Sequence, residues 1–290
     1  MKKRIAFVTS SVKPDFATND LHVVNSLRSS GAEVLPLPWD IETTEWDSFD
    51  LVVIRSCWNY HLHPEKFIKW IDSMEKKKVK MLNPLKIARW NLHKGYLNEL
   101  QLKGIALPET IWLNKGSVAD LSLLMNERKW SKAVVKPAIS ATAFNTLLVS
   151  NEDAWEQQKK FEEFLAQADM LVQKFMPEVQ SQGEWSIIFF DKKFSHSVIK
   201  LPVAKDFRVQ NDFGGIATPA TPPEFAIEQA KKIISLIEEP LLYARVDGVI
   251  SENRFLLMEL ELIEPVLFLE QKNGSAKTFA NAIMDFINYN

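Results

Sequence analysis

The chain has 290 residues, 35 of them Lys or Arg and 37 Asp or Glu, for a formal net charge of −2. So even a balance argues against nucleic acid or a membrane surface as the main partner. The 46% of apolar residues supply a sizeable core. The single cysteine, Cys57, cannot make an intramolecular disulfide, which fits a reducing, cytoplasmic setting. MKKRIAFVTSS is too short in apolar residues for a secretory signal, and no run approaches the length of a membrane span.

In chain order, Ile5 to Val8 reads as a buried strand, Asp20 to Ser30 as a helix stopped by Gly31, and Glu33 to Leu37 as the next strand. Phe49 to Ile54 is another apolar run. Pro64 to Lys77 carries Phe67, Ile68 and Ile71 at helical spacing, with Pro64 suited to a first turn. Val79 to Leu82 closes this part. Strands alternating with helices predict a parallel, Rossmann-like sheet. One long helix is then expected from Leu85 to Lys103, ended by Gly104. The stretch from Pro108 to Ala168 reads as a small α+β lobe. The remainder is mostly strand, with a helix from about Glu224 to Ile237, a hairpin of Tyr243 to Ile250 and Phe255 to Ile263, and a terminal helix from Lys277 to Ile287.

That hairpin carries the most specific chemistry. Read at period two, Phe255, Leu257, Glu259, Glu261 and Ile263 share a face, and the two carboxylates stand about 7 Å apart at ~3.3 Å per residue. A three-residue loop, Glu252-Asn253-Arg254, sets Asp247 opposite Glu259. Three acids on one patch repel each other unless a hard divalent cation such as Mg²⁺ joins them. On spacing alone, a metal site and a solvated outer face are both compatible with the pattern.

Cations that suit a polyphosphate lie upstream. Lys94 falls in the long helix and Lys136 at the end of the run AVVKP; each alone reads as a surface residue, but beside an acidic metal patch they offer point charges for phosphates. Arg208 precedes the pair Gly214-Gly215 and reads either as an ordinary surface arginine or as a residue that stabilises charge on a transferred phosphoryl group. With only nine glycines and neither a Gly-x-Gly-x-x-Gly nor a Walker loop, the dinucleotide-fold and P-loop readings fail at their most specific feature. Leu171 to Pro177 reads as a core strand or as an edge for adenine, and His196 as a substrate contact or an ordinary buried histidine.

In this order the motifs resemble the ATP-grasp superfamily, in its glutathione-synthetase-like branch and, within that, the D-cycloserine-forming ligases. They are IRSCWNY (54–60), NP (83–84), WNLHKGYL (90–97), VVKPAIS (134–140), LVQKFMPE (171–178), GEWS (183–186), SHSVIK (195–200), DFRVQ (206–210), YARVDGV (243–249) and LMELELIEP (257–265). The resemblance implies an α/β fold of α+β lobes: a Rossmann-like pre-ATP-grasp substrate domain at 1–83 and an ATP-grasp domain at 84–290. Within the latter, about 108–170 would be a mobile lid and 171–290 the lobe with the metal hairpin. It assigns Lys94 and Lys136 to ATP phosphates, Gln173, Lys174, Phe175 and Met176 to the adenine hinge, and Glu184 to the ribose. Arg208 would meet the transferred phosphate, Asp247, Glu259 and Glu261 would hold magnesium, and Arg55, Trp58, Tyr60 and Lys200 would face the second substrate.

The implied function is an ATP- and Mg²⁺-dependent ligase, releasing ADP and phosphate. It would join a small-molecule carboxylate to an amine or similar nucleophile through an acylphosphate, ring closure on one amino-acid-like substrate included. The alternative is a nucleotide-binding regulatory protein that has lost this chemistry, because the loop after Lys136, AISATAFNT, lacks the glycines usual in the superfamily. Glu261 stands where asparagine is common, which favours a second Mg²⁺. A homodimer is left open.

Overall fold

The structure, a computed structural model, describes residues 2–204 and 206–289, without the side chains of Asn211 and Tyr289. Its first sheet is parallel. β1 (Arg4–Thr9), α1 (Leu21–Ser29), β2 (Glu33–Pro38), β3 (Leu51–Ile54), α2 (Pro64–Lys76) and β4 (Met81–Leu82) follow in chain order, and the strands lie side by side as β2-β1-β3-β4. The continuous apolar run in β1 has its reason here, since both faces are covered. Ile5 and Phe7 pack with Val23, Val24 and Leu27 of α1, whereas Ala6 and Val8 pack with Phe67, Ile71 and Met74 of α2.

Two helices follow, α3 (Leu85–Leu92) and α4 (Tyr96–Leu102), where one long helix was expected. The chain breaks at His93, which is extended at φ −105° and ψ 122°. Its Nδ1 accepts the Gly95 N–H at 3.0 Å, and the Lys94 N–H donates across to the Ala138 carbonyl at 2.8 Å. A Cβ at position 95 would sit 2.8 Å from His93 Nδ1, so the glycine permits the break. Lys94 therefore stands in a gap between helices, not on a helix face.

The second sheet is antiparallel: β5 (Thr110–Leu113), then α5 (Leu121–Glu127), β6 (Lys132–Pro137), β7 (Leu147–Ser150), α6 (Ala154–Leu165) and β8 (Met170–Lys174), in the order β5-β8-β6-β7. Leu121, Met125, Phe161 and Leu165 of the two helices close over Ala133, Val135, Val149 and Val172. Asp120 caps α5 by accepting from the Leu123 N–H at 2.8 Å.

After the short α7 (Glu178–Ser181) come β9 (Glu184–Phe190), β10 (Lys193–Leu201), β11 (Ile216–Pro219), α8 (Glu224–Ser235), β12 (Tyr243–Ser251), β13 (Arg254–Glu261) and α9 (Ser275–Tyr289). The strands form an antiparallel sheet, β11-β10-β9-β12-β13. α8 covers one face and α9 the other. Two buried asparagines tie this sheet to the rest of the chain. Asn83 donates to the carbonyls of Tyr243 and Leu262 and accepts from Leu242 N–H; Asn91 donates to Leu260 O and accepts from Leu262 N–H.

The β12–β13 hairpin departs from the expected one in two linked ways. Its loop has two residues, Glu252 and Asn253, both at positive φ, and Ser251 pairs with Arg254. Asp247 nevertheless pairs with Glu259, because a bulge lets β12 pass from Gly248↔Leu257 to Asp247↔Glu259 and leaves Met258 as the extra residue. The bulge reverses the side-chain parity. Phe255 and Leu257 lie in the same core as Leu260 and Leu262, so Glu259 and Glu261 do not interrupt that apolar face but turn to the opposite one.

Candidate active site

That opposite face forms the floor of a cleft of about 1040 Å³, lined by every candidate residue named from the sequence except His196. β12 and β13 present Arg245, Asp247, Glu259 and Glu261. β9 and β10 add Glu184 and Lys200. The central sheet supplies Lys136 and the β8 end with Gln173 to Met176, the segment between β10 and β11 supplies Arg208, and the loop after β3 supplies Arg55, Trp58 and Tyr60.

The floor is an alternation of charges. Asp247 accepts from Ser186 Oγ at 2.6 Å, from Arg245 Nη2 at 2.9 Å and from Lys200 Nζ at 3.2 Å. Burial works against its charge, but Arg245 and Lys200 hold its carboxyl down at about 2. Arg245 also pairs with Glu261. Burial pushes Glu261 up to about 8, with Asp247 and Glu259 adding to the rise and Arg245 resisting it. Lys94 Nζ donates to Glu259 Oε1 and to the Ser140 carbonyl, both at 2.9 Å. Glu259 is lowered, burial being outweighed by Lys94 and Lys136.

These contacts revise several expectations. The three acids do not converge on one point, and among the described residues no group of three His, Cys, Asp or Glu is gathered at metal-holding distance. Arg245 stands between Asp247 and Glu261. Lys200, expected at the second substrate, pairs with Glu184 at 2.5 Å as well as with Asp247, so both it and Glu184 belong to the charged floor. The Gln173 side chain is 1% exposed and takes a hydrogen bond from Lys136 Nζ at 3.3 Å while donating to Thr110 Oγ1 at 2.9 Å. Lys174 pairs with Glu109 at 3.4 Å, while Phe175 and Met176 are buried at the cleft wall. His196 is a framework residue: Nε2 reaches the carbonyls of Leu267 and Phe268 at 2.9 and 3.1 Å, and Nδ1 meets Ser195 Oγ.

Two residues escaped the sequence reading. Arg245 lies two before Asp247 on the same strand face, so the RVD spacing was the available signal. Glu264 is 8% exposed and lines the cleft, but it follows the end of β13, where periodicity gives no direction. The glycine-free loop after Lys136 turns by taking left-handed φ at Thr142, Ala143 and Asn145. Ile139 and Ala141 pack against the core of the first sheet, and the Phe144 ring lies 5.1 Å from that of His61.

Hard oxygen donors beside lysines suit magnesium and a polyphosphate, so the residues present fit both groups, provided Arg245 yields Glu261 when an ion enters.

The molecule has the ATP-grasp fold. Over 99% of this chain it superposes on 96% of the D-alanine–D-alanine ligase from Bacillus anthracis complexed with ATP, at a TM-score of 0.69 and 15% identity. A nearer relation is D-cycloserine synthetase DcsG. Residues 5–83 match the family model of its N-terminal domain. The cycloserine biosynthesis protein DcsG of Streptomyces lavendulae is 24% identical over 301 residues, covering 97% of this chain and 98% of that protein. The crystal structure of D-cycloserine synthetase DcsG aligns at a TM-score of 0.85, covering 98% of this chain and 99% of that one. The similarity to DcsG thus runs along nearly the whole length of both chains.

Proposed function

We propose that this chain is an ATP- and Mg²⁺-dependent ligase that activates a small carboxylate as an acylphosphate and passes the acyl group to an amine, forming a C–N bond. The observation that carries this reading is the meeting, in one cleft, of Lys94 and Lys136 with the floor of Asp247, Glu259, Glu261, Lys200 and Arg245. The two lysines neutralise phosphate oxygens, Lys136 being steered by Gln173. Asp247, Glu259 and Glu261 would hold magnesium, which would supply charge neutralisation for a polyphosphate. Arg245 and Arg208 are the cations left to receive the developing charge on the carboxylate and transferred phosphoryl group. No side-chain nucleophile is required; positioning and charge do the work. The lobe at 108–170 acts as the lid that keeps water from the acylphosphate. The substrate domain at 1–83 brings the second substrate through Arg55, Trp58 and Tyr60. The substrate is amino-acid-like, and intramolecular ring closure is a form the same chemistry takes.

ADP release measured with Mg²⁺ across amino acids and dipeptides tests this. A substrate class that stimulates turnover is expected; tight ATP binding with no stimulation by any class overturns it. The glycine-free loop favours one other reading, a regulatory protein that binds nucleotide without turnover. Product formation that is abolished by Glu259→Ala excludes that reading.

A further inference from the structure

Lys94 and Lys136 come from different elements, yet their main chains are joined by a closed set of hydrogen bonds outside the active-site cleft. The Lys94 N–H donates to the Ala138 carbonyl and the Ala138 N–H to the Asp169 carbonyl, both at 2.8 Å. Ala138 stands two residues after Lys136, so this path links both lysines. Asp169 closes it with its side chain. Its Oδ2 lies 3.1 Å from His93 Nε2, and its Oδ1 accepts the Lys115 N–H at 2.7 Å. His93 in turn holds Gly95, whose N–H donates to Nδ1 at 3.0 Å. The two chain neighbours of Lys94 are thus tied to each other, and through Asp169 to the lobe at 108–170.

The proton pattern of this set follows from its partners. A main-chain N–H can only donate, so Nδ1 of His93 carries no proton. The ring therefore bears its proton on Nε2 and donates it to Asp169. Asp169 cannot turn away, because Lys115 holds its other oxygen. The carboxylate thus selects the one tautomer that can accept from Gly95, as an outer carboxylate does for a metal-bound histidine. The pair lines a separate groove of about 180 Å³ with Trp112 and Asn98, and its side chains are 42% and 43% exposed. A pair so exposed adds little to stability. What it fixes is the direction of the chain at Lys94, whose Nζ spans the gap to Glu259 Oε1 and the Ser140 carbonyl.

We propose that His93 and Asp169 are positioning residues for the phosphate site: the Nε2–H tautomer of His93, selected by Asp169, holds the main-chain break that aims Lys94 into the cleft. Neither residue touches the nucleotide. Both act through Lys94, and the inference rests on the reading of Lys94 as a phosphate ligand.

The test is calorimetric titration of the full chain with Mg²⁺ and a non-hydrolysable ATP analogue, and separately with adenosine, which carries no phosphate. His93→Ala and Asp169→Asn should each weaken the analogue by about three- to tenfold and leave adenosine unchanged. In the second variant the new amide sets a donor against Nε2–H while its oxygen stays with Lys115, so either tautomer of His93 loses one bond. His93→Asn should restore most of the affinity, because an asparagine oxygen accepts the N–H two residues on. In a Lys94→Met background, His93→Ala should have no further effect. A further loss there, or an equal loss for adenosine, would show a general disturbance of the fold and overturn the proposal. Folded His93→Ala protein that binds the analogue as wild type does overturns it too. Nitrogen-15 NMR of the histidine rings in the wild-type protein covers the case of variants that do not fold. In mildly basic buffer His93 should show a bare Nδ1 and a protonated Nε2, and the opposite tautomer refutes the assignment. Lys94→Met protein that binds the analogue unweakened would sink the phosphate reading itself, whereas binding that needs Lys94 but is indifferent to His93 and Asp169 sinks the positioning pair alone.

Discussion

Arg208 is folded back onto Asp206, two residues upstream. Its Nη2 donates to Asp206 Oδ2 at 2.8 Å and its Nε to Oδ1 at 3.1 Å, while Oδ1 also accepts the N–H groups of Phe207 and Arg208. The guanidinium lies 3.7 Å from the centre of the Phe213 ring. The arginine proposed to meet the transferred phosphoryl group is thus held in a parked position by a neighbour.

This pairing has a predictable pH range. The hydrogen bond from Arg208 holds the Asp206 carboxyl at about 2, below its ordinary 3.8, against a smaller opposing effect of burial. A depressed folded-state value means that the contribution to stability is complete above the unfolded value and is lost as pH falls through the folded one. The Asp206 contact should therefore be intact from neutral pH to about 4 and disappear as pH falls toward about 2. Carboxyl-carbon NMR of Asp206 checks it; a midpoint near 4 would show that the pair does not hold in solution.

The parity of β13 separates what was legible in the sequence from what was not. That Asp247 and Glu259 face each other followed from period two and a short loop, and the pairing is as expected. The route was different, because a bulge at Met258 adds the residue that the shorter loop removes. A bulge leaves no mark on hydrophobic periodicity when its extra residue is itself apolar. The break at Lys94 was hidden for a similar reason: His93 and Gly95 fit a helical pattern until the Ala138 carbonyl, 44 positions away, takes the Lys94 N–H. The parallel sheet was readable because strands and helices alternate along the chain, whereas Lys94 and Lys136 each read alone as surface residues and were assigned to phosphates only by the resemblance. The cationic partners of the acids were not readable, because Lys200 and Glu184 meet only once β9 and β10 pair.

Glu261 is where the charge balance of the floor turns. Because Arg245 serves both Asp247 and Glu261, an ion that uses Glu261 must displace a guanidinium, and Glu261→Gln removes the carboxylate that would attract it. The variant should weaken one class of magnesium site by about tenfold or more while leaving the site at Asp247 and Glu259 nearly intact. Counting Mn²⁺ bound to the ATP-analogue complex by paramagnetic resonance checks this. One ion in both proteins, at equal affinity, would show that Glu261 holds no second metal.

The loop after Lys136 closes by contact with the first lobe, not by glycine-borne main-chain approach. Phe144 on His61 and Ile139 against the lobe core are the contacts that hold it. An aromatic pair of this kind is worth roughly 0.5–1.5 kcal/mol beyond its buried area. Phe144→Ala should therefore raise ADP release uncoupled from product by about two- to tenfold, as water reaches the acylphosphate. The ratio of ADP to product in a single assay reads it directly, and an unchanged ratio would mean that Phe144 does not gate the site.

Gly248 connects the hairpin's packing to its metal geometry. A Cβ there would lie 2.5 Å from the Leu256 carbonyl oxygen and 2.4 Å from Phe255 Cζ, and the bulge begins at this residue. The ring can swing, but the carbonyl belongs to the paired strand and cannot withdraw without moving β13. Gly248→Ala should therefore destabilise the protein by about 1–3 kcal/mol, as overpacked sites do. The melting temperature would fall by roughly 2–4 °C per kcal/mol. The displaced strand carries Glu259, so magnesium affinity should fall with stability. A variant whose melting temperature drops while its magnesium affinity is unchanged would show that the bulge sets the core of the hairpin and not the spacing between Asp247 and Glu259.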